Sequence, residues 1–403
     1  SASFAPGTST PSRLSAATTW VCTVQQGCCR VGGGGRGGRL DTLLAGRSKG
    51  WAPDHIAAAP ASLTTVGGMN RVRWGVIGAG DVVEHKSGPA LQRAQNSELV
   101  AVMRRDRHRA EDFARRHNVP RWYGSADELI HDPEVDALYV ATPPSSHQDY
   151  VERAAAAGKP VYVEKPMART AAECRAMIAA CEAAGSGSGV PLFVAYYRRA
   201  MPRFETARAI IQDGRLGDVR SIVVRNQKRA SPSSAGTPWR LQPLISGGGL
   251  FVDLASHTFD WLDHVFGPIA TIAGQASHPL SGRGSAETRV SATFSFASGV
   301  TGVGLWDYGA AEGMDLIEVI GSEAALRFSC FGTEPLTLVG QGASTSIEAP
   351  YPEIVQLPLI QQIVDFLTGR RDTVPSTGRT ALRTAQTIDA VLAQYRTEQG
   401  ISL

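Results

Sequence analysis

A short apolar strand that runs directly into a glycine turn is the feature that most restricts the fold of this chain. Val72–Ile77 is followed at once by Gly78-Ala79-Gly80, and we predict a helix after the turn. In such a unit the first glycine makes the tight turn, and the second lets a pyrophosphate approach the backbone at the helix N-terminus. Val83 replaces the third glycine of the G-x-G-x-x-G pattern, so the match is partial. The turn predicts a dinucleotide site at Gly78, Gly80, Asp81 and Val82.

Apolar runs and helical patterns alternate after this turn. Strands are predicted at 72–77, 99–103, 137–141, 161–163 and 192–195, with helices at 109–117, 147–157 and 171–184. This alternation is typical of βαβ units, whose parallel sheet is covered on both faces. Later strands, at 219–225, 289–296, 300–306 and 317–320, alternate in polarity and precede helices at 359–367 and 380–395. We therefore predict a parallel α/β domain followed by an α+β domain with an antiparallel sheet.

The first 68 residues differ from the rest in composition. They contain no Glu, a run of glycines, and six Lys/Arg against two Asp, which gives +4; the chain as a whole carries +3, so the remainder sums to −1. We predict a poorly ordered extension over 1–68, a dinucleotide-binding domain over 69–192 and a substrate and dimerisation domain over 193–403. The extension is interpreted either as an organelle transit peptide or as translated sequence upstream of a start at Met69.

Charge, hydropathy and cysteine usage argue against several classes of protein. The body has no basic excess, so we expect no nucleic-acid partner, and no apolar run is long enough to span a membrane. The six cysteines form no C-x-x-C pair, and the histidines do not flank them at zinc spacing. We therefore expect no metal, and free thiols in a reducing, cytoplasmic compartment. A transit peptide would instead direct the protein to an organelle.

The end of the second strand is where a dinucleotide site reads the adenine ribose. An acidic residue at this position is usual for NAD, but the chain has Arg104-Arg105 followed by Asp106. Two guanidinium groups suit a 2′-phosphate, which favours NADP. Asp106 keeps NAD as an alternative, and both arginines would also be compatible with solvated surface charge.

Two further segments carry candidate catalytic side chains. Glu164-Lys165-Pro166 follows the strand at 161–163, so Lys165 faces the ligand crevice of an open sheet; the alternative is a solvated lysine before a turn proline. Asp253 and His257 are four residues apart on a predicted apolar helix behind three glycines, and therefore share one face. A histidine can exchange the proton that accompanies hydride transfer, although a helix-start Asp and a satisfied core His would look the same.

Trp239-Arg240 lies just upstream of this helix, in a segment rich in Ser, Gly and Pro. An aromatic plane beside a fork of donors suits a polyol substrate, and a surface Trp-Arg pair is the competing interpretation. His264 falls near the predicted end of the same helix, where a cation suits the helix dipole, and we assign it no catalytic role.

Several of these motifs, in this order, resemble the glucose–fructose oxidoreductase / inositol dehydrogenase (Gfo/Idh/MocA) family over about residues 70–400. They are Gly78-Ala79-Gly80, Ala141-Thr142-Pro143-Pro144-Ser145-Ser146-His147, Glu164-Lys165-Pro166, Tyr196-Tyr197-Arg198-Arg199 with Pro202, Gly247-Gly248-Gly249 with Asp253 and His257, and Ser376-Thr377-Gly378. The resemblance implies a Rossmann domain followed by a domain with a large open antiparallel sheet. It also implies an active site between the two domains and pairing of copies through the open sheet, as a dimer or tetramer.

The resemblance further implies roles for individual residues. Lys165 would contact the cofactor ribose and the reacting oxygen, and Glu164 would lie near the nicotinamide. The remaining residues would line the cofactor crevice or its nicotinamide end: Thr142, Pro143, His147, Tyr197 and Arg198.

We therefore predict an NAD(P)-dependent oxidoreductase, with NADP preferred to NAD, that moves a hydride to or from a sugar, polyol or related compound. His257 and Lys165 are the acid/base candidates, with roles that are interchangeable at this point, and Asp253 orients the site. Two alternatives are a non-catalytic dinucleotide-binding regulator, which would need neither Lys165 nor His257, and an NAD-dependent glycosidase. Substrate and reaction direction stay open, because this scaffold serves many sugars and polyols.

Overall fold

The computed structural model describes residues 69–185, 188–229, 238–278 and 283–403. The extension predicted over 1–68 lies outside the described residues. So do Cys22, Cys28 and Cys29, while Cys174, Cys181 and Cys330 are buried and free.

The N-terminal part is built on a six-stranded parallel sheet of order β3-β2-β1-β4-β5-β6. Its strands are β1 Val72–Ile77, β2 Ser97–Met103, β3 Arg121–Tyr123, β4 Ala137–Val140, β5 Val161–Val163 and β6 Leu192–Val194. Five helices connect them: α1 Gly88–Arg93 after a π-helical turn Val83–Ser87, α2 Arg107–Arg116, α3 Ala126–Ile130, α4 His147–Ala156 and α5 Ala171–Ala183. The strand order reverses between β1 and β4, and the crevice outside the carboxyl ends of strands at such a point is where ligands bind.

The second sheet has eight strands in the order β14-β13-β12-β11-β7-β10-β9-β8. They are β7 Val219–Arg229, β8 Ile269–Ser277, β9 Arg289–Phe296, β10 Thr301–Ala310, β11 Met314–Gly321, β12 Ala325–Phe328, β13 Leu336–Gly340 and β14 Ala343–Ile347. The predicted Rossmann domain and large antiparallel sheet are thereby confirmed. One correction applies: β7 and β10 run parallel, because the chain between them crosses over through a long helix rather than a tight hairpin.

That long helix is α8 (Leu250–Phe266), which covers one face of the second sheet. Phe251 and Phe259 of α8 pack against Trp306 of β10, with ring centroids 5.0 and 5.4 Å apart. Side chains of β9 and β10 alternate between buried and exposed positions, so the opposite face of these strands is open. The open face includes Val303 and Leu305.

The remaining helices are α6 Pro202–Gln212, α7 Pro243–Ser246, α9 Leu357–Leu367 and α10 Gly378–Gln399. The last two pack on the first domain, and α10 also packs on β8 of the second sheet. Phe366 of α9 packs on Phe193 of β6, and Asp389 of α10 accepts the Ala171 amide at the start of α5 at 2.7 Å. The boundary predicted at residue 192 falls inside β6, and the division into domains stays a prediction.

Candidate active site at the junction of the two sheets

The glycine turn after β1 is packed between the ends of two neighbouring strands. Gly78 has a φ of +93°, and a Cβ there would lie 2.7 Å from Thr142 Cγ2, so the position demands glycine. The Gly78 and Ala79 amides donate to the Met103 carbonyl at the end of β2. A Cβ on Gly80 would meet no atom closer than 3.8 Å, which leaves open space above the turn. This cradle fits a dinucleotide pyrophosphate.

The residues that follow the turn are more exposed. Asp81 is almost fully exposed and lies 3.6 Å from His85, and Val82 is half-buried. Val83, at the third glycine position, is buried at the start of the π-helical turn. A Cβ on Gly88 would lie 2.3 Å from the Val83 carbonyl oxygen, so the glycine that this helix needs is Gly88.

Arg104 and Arg105 follow β2 beside the cradle. Arg104 is half-buried and Arg105 exposed, and within the described ranges neither guanidinium makes a hydrogen bond or an ion pair. Asp106 is engaged differently: its carboxylate caps α2 by accepting the Arg109 amide at 3.2 Å, and it lies 3.3 Å from Arg109 Nε. The acidic residue is thus committed to the helix, and both arginines are free to meet an anion.

His147 is buried behind the crevice wall formed by Thr142 and Pro143. Its Nε2 lies 2.7 Å from the Thr142 carbonyl and its Nδ1 lies 3.1 Å from the Met167 carbonyl. Burial lowers the pKa of His147, against the opposing effect of these two carbonyls. His147 therefore links the loop after β4 to the segment after β5, and positions the wall rather than facing the crevice.

The loop after β5 directs two neighbouring side chains in different directions. Glu164 is buried and accepts hydrogen bonds from Tyr139 Oη at 2.6 Å and Gln356 Nε2 at 2.9 Å. Lys165 points to the second sheet's helix, where its Nζ donates to Asp253 Oδ1 at 2.5 Å and to the Asp253 carbonyl at 3.1 Å. The side chains of Lys165 and Asp253 are only 14% and 24% exposed.

The Lys165–Asp253 pair also explains why the carboxyl group of Asp253 stays ionised. Burial raises the pKa of Asp253, but the charge and hydrogen bond of Lys165 outweigh burial and hold that pKa below its usual range. Arg240 lies 3.8 Å from the second Asp253 oxygen and stacks over the Trp239 ring at 4.5 Å. The structure thus brings the four predicted residues Lys165, Asp253, Trp239 and Arg240 together.

His257 lies one turn beyond Asp253 on α8, but it makes no hydrogen bond to that residue. Its ring has aromatic neighbours, with Tyr196, Tyr197 and Phe331 at centroid distances of 5.4 to 5.9 Å, and its Nδ1 is buried without a partner. Burial lowers the pKa of His257 well below its ordinary value, with the nearby charge of Arg198 as the next cause. His257 is therefore a neutral imidazole whose protonated form is disfavoured by burial.

Tyr197 and Arg198 were expected at the nicotinamide end of the crevice. Tyr197 packs on His257, while Arg198 is buried in the core, where its Nε donates to the Cys330 carbonyl at 3.0 Å and its guanidinium lies 4.5 Å from the Phe331 ring. The charge of Arg198 lies close enough to His257 to contribute to the lowering of its pKa.

The three glycines before α8 are explained by close neighbours of their backbone. Gly247 has a φ of +87°, and a Cβ there would lie 2.8 Å from Arg169 Cα; a Cβ on Gly248 would lie 2.4 Å from Val252 Cγ2. The Gly249 amide donates to buried Glu287 at 2.7 Å, so the carboxyl group of Glu287 caps the helix that carries Asp253 and His257. Sequence reasoning missed Glu287, Gln356 and Tyr139, because no local pattern marks them.

Two family models match the chain. The model of the oxidoreductase family with an NAD-binding Rossmann fold matches residues 72–190, and the GFO/IDH/MocA C-terminal domain matches residues 204–327. Oxidoreductase P35 of Formosa agariphila is 36% identical over 324 residues, covering 78% of this chain and 97% of that protein. The chain belongs to the Gfo/Idh/MocA oxidoreductase family. It is accordingly an oxidoreductase with a nicotinamide cofactor.

Other relatives agree with this placement. The trans-1,2-dihydrobenzene-1,2-diol dehydrogenase of Mus musculus is 36% identical over 198 residues, which cover 49% of this chain and 56% of that enzyme. A levoglucosan dehydrogenase solved with NADH and levoglucosan has the same fold, with a TM-score of 0.71 at 21% identity over 81% of this chain and 98% of its own. Among the described helices, none is long and apolar enough to cross a membrane.

Proposed function

We propose that the protein moves a hydride between NADP and a CH–OH or carbonyl carbon of a sugar-like polyol. The observation that carries this proposal is the Lys165–Asp253 pair, 2.5 Å apart, at the carboxyl end of β5 with neutral His257 one helical turn away. A positively charged donor and a neutral acceptor beside the ligand crevice are the two groups that alcohol oxidation needs.

The bound nicotinamide supplies the site that accepts or gives the hydride at its C4. Lys165, held in place by Asp253, donates a hydrogen bond to the substrate oxygen and stabilises the negative charge that develops there. His257 takes the hydroxyl proton transiently during oxidation and returns it during reduction; its lowered pKa disfavours the protonated imidazole, so the return of the proton is the easier of the two steps. The sequence left these two roles interchangeable, and the ion pair of Lys165 favours this assignment.

The preference for NADP rests on Arg104 and Arg105. Both guanidinium groups follow β2, where the adenine ribose lies in this fold, and both are unpaired among the described residues. The only acid nearby in sequence, Asp106, caps α2 instead. Bidentate contacts to a 2′-phosphate therefore fit this edge better than an acceptor for a ribose hydroxyl.

The choice of a polyol rests on the surroundings of Asp253. Arg240 and Trp239 stand over its second oxygen and offer donors and an aromatic face. Relatives are named for a diol and for an anhydro-sugar. We also propose that copies pair through the open face of the second sheet, where Val303 and Leu305 are exposed, and that the protein works in the cytoplasm.

A titration of the purified protein with NADPH and NADH, followed by nicotinamide fluorescence, tests the proposal. We expect tighter NADPH binding in the wild type, and a loss of about 30- to 100-fold in the Arg104→Ala/Arg105→Ala variant with NADH little changed. Arg220→Ala, which removes an exposed guanidinium from β7, is the matched control. Equal weakening of both dinucleotides would refute the NADP preference, and binding of neither by folded wild type would refute the proposal.

A non-catalytic dinucleotide-binding regulator is the main competing function. Such a protein has no use for the Lys165–Asp253 ion pair or for a buried imidazole nitrogen without a partner one helical turn away, and burying these groups is costly without a task. Turnover in a screen of sugars and polyols separates the two functions, because a regulator would bind the dinucleotide without consuming it.

A further inference from the structure

The carboxyl group of Glu164, beside the crevice, accepts hydrogen bonds from three donors. Tyr139 Oη and Gln356 Nε2 both donate to its Oε1, at 2.6 and 2.9 Å, and the Lys165 amide donates to its Oε2 at 3.0 Å. The Gln356 amide is oriented in turn by Tyr162, whose hydroxyl donates to its Oε1 at 2.9 Å. The two tyrosine rings stack with centroids 4.9 Å apart, so the whole network is fixed by packing.

Every partner of Glu164 is a neutral donor. Burial, followed by the nearby Glu164 charge, raises the pKa of Tyr139 well above its ordinary value, so this hydroxyl keeps its proton. Within the described part of the chain no lysine, arginine or histidine forms an ion pair with Glu164, although its neighbour Lys165 does so with Asp253. Glu164 as a residue is only 7% exposed. Hydrogen bonds from neutral donors therefore hold it in place, and it has no ion-pair partner among the described residues.

The position of the Glu164 carboxylate in the sheet indicates which part of the cofactor it would meet. Glu164 directly follows β5, on the side of the strand-order reversal away from β2, where the adenine ribose is read. Lys165, the proposed contact of the reacting oxygen, is the next residue. The reactive end of the dinucleotide therefore lies at this edge, in a region of low solvent access where charges interact strongly.

We propose that Glu164 is the negative charge that makes the site prefer the oxidised cofactor to the reduced one. This inference rests on the proposed function. The oxidised nicotinamide ring carries one positive charge, and addition of a hydride, which brings two electrons and one proton, makes the ring neutral. A fixed carboxylate attracts only the oxidised ring, so it lowers the dissociation constant of NADP⁺ relative to that of NADPH.

The test compares the dissociation constants of NADP⁺ and NADPH for the full chain, in the absence of substrate and therefore without turnover. NADPH is followed by its fluorescence, and NADP⁺ by competition against it. Glu164→Gln has nearly the same shape without the charge, and we expect the ratio of the NADP⁺ constant to the NADPH constant to rise by about 10- to 100-fold. Glu398→Gln, which removes an exposed carboxylate on α10, is the control for net charge and should leave the ratio unchanged.

A second variant separates charge from shape. Glu164→Asp keeps the charge but shortens the side chain, so its ratio should stay close to that of the wild type even if both constants rise. A Glu164→Gln ratio within twofold of the wild-type ratio would overturn the proposal, as would equal loss of both cofactors in the Gln and Asp variants. Failure of the proposed function would differ, because the wild type itself would then bind neither dinucleotide.

Discussion

The two halves of α8 carry acidic residues that differ in how completely they are paired with basic side chains. Near its start, Asp253 has one charged partner within hydrogen-bond distance, Lys165, and a second oxygen with Arg240 3.8 Å away. Near its end, Asp260 and Asp263 share Arg199 through three hydrogen bonds of 2.7 to 2.9 Å. The carboxylate in the first half of α8 thus keeps unused hydrogen-bonding capacity, whereas the two carboxyl groups in the second half are occupied by arginine donors.

The same contrast separates two buried histidines. Both ring nitrogens of His147 lie within hydrogen-bond distance of carbonyl oxygens, while Nδ1 of His257 is buried with no partner. A folded protein satisfies nearly all of its buried polar groups, so the exceptions need a reason. Nδ1 of His257 is one of several such atoms among the described residues, but it lies on the helix that carries Asp253, one turn from the Lys165–Asp253 pair. His147 instead holds the loop after β4 to the segment after β5.

Loss of Lys165, the partner of Asp253 near the start of α8, should give the largest effect on turnover. Lys165→Met removes the charge that stabilises the substrate oxygen, and we expect turnover to fall by three to four powers of ten, about 4–5 kcal/mol in the barrier. Stability should fall less than when Arg199 is lost, because the Lys165 and Asp253 side chains are 14% and 24% exposed and Arg240 lies 3.8 Å from the carboxylate that remains. Steady-state kinetics with a substrate found by screening, together with thermal unfolding, measures both. Lys159→Met, which removes an ammonium bound to the Asp132 carbonyl, should keep full turnover. If turnover of Lys165→Met fell by less than tenfold, the acidic residue near the start of α8 would no longer be distinguished by a catalytic partner.

Loss of Arg199 should have the opposite profile. Arg199→Met leaves Asp260 and Asp263 side by side in the core, and we expect the free energy of unfolding to drop by about 3 kcal/mol or more in urea titrations. The NADPH dissociation constant of the folded fraction should be unchanged. Arg208→Met, which breaks a more exposed pair with Glu205, should cost less than about 1 kcal/mol. Wild-type stability in Arg199→Met would show that the core half is not structural.

Much of the fold was predictable because apolar runs and glycine turns are local signals. Val72–Ile77 and Val161–Val163 form strands at the predicted residues. The strand Arg121–Tyr123 was not predicted, because three polar or amphipathic residues at a sheet edge carry no periodicity. The parallel pairing of β7 with β10 was also out of reach, since it depends on strands more than seventy residues apart.

The candidate site divides in the same way. Lys165, Asp253 and His257 were each predictable from their own segments, and Asp253 and His257 from their spacing. Which residue pairs with Asp253 was not, because its partner is 88 residues away in sequence. Glu287 and Gln356 have no local signal at all, and their roles as a helix cap and a clamp on Glu164 come only from tertiary contacts.

The buried imidazole of His257 should make stability depend on pH. Its pKa in the folded state is well below that of an unfolded chain, about 6.5, so below that pH the unfolded state binds a proton that the folded state does not. Stability from this residue is therefore complete above pH 7 and falls by about 1.4 kcal/mol per unit as pH drops below about 6.5. We expect His257→Gln to lose less stability than the wild type between pH 7 and 5 in urea titrations. His108→Gln, at an exposed position, should follow the wild-type curve, and parallel curves for all three proteins would contradict a buried neutral His257.

Arg383 is the second arginine bound to Asp263 near the end of α8, and its loss tests whether an exposed partner stabilises that end as much as buried Arg199 does. Its Nε and one terminal nitrogen bind Asp263 at 2.7 Å, but its side chain is 37% exposed, whereas that of Arg199 is 2% exposed. Asp263 also keeps Arg199 when Arg383 is lost, and solvent reaches the vacated side. Arg383→Met should therefore lower the free energy of unfolding by only about 0.5–1 kcal/mol, measured in urea, and the loss should shrink in high salt. A loss equal to that of Arg199→Met would mean that the outer guanidinium, rather than burial, stabilises this half of the helix.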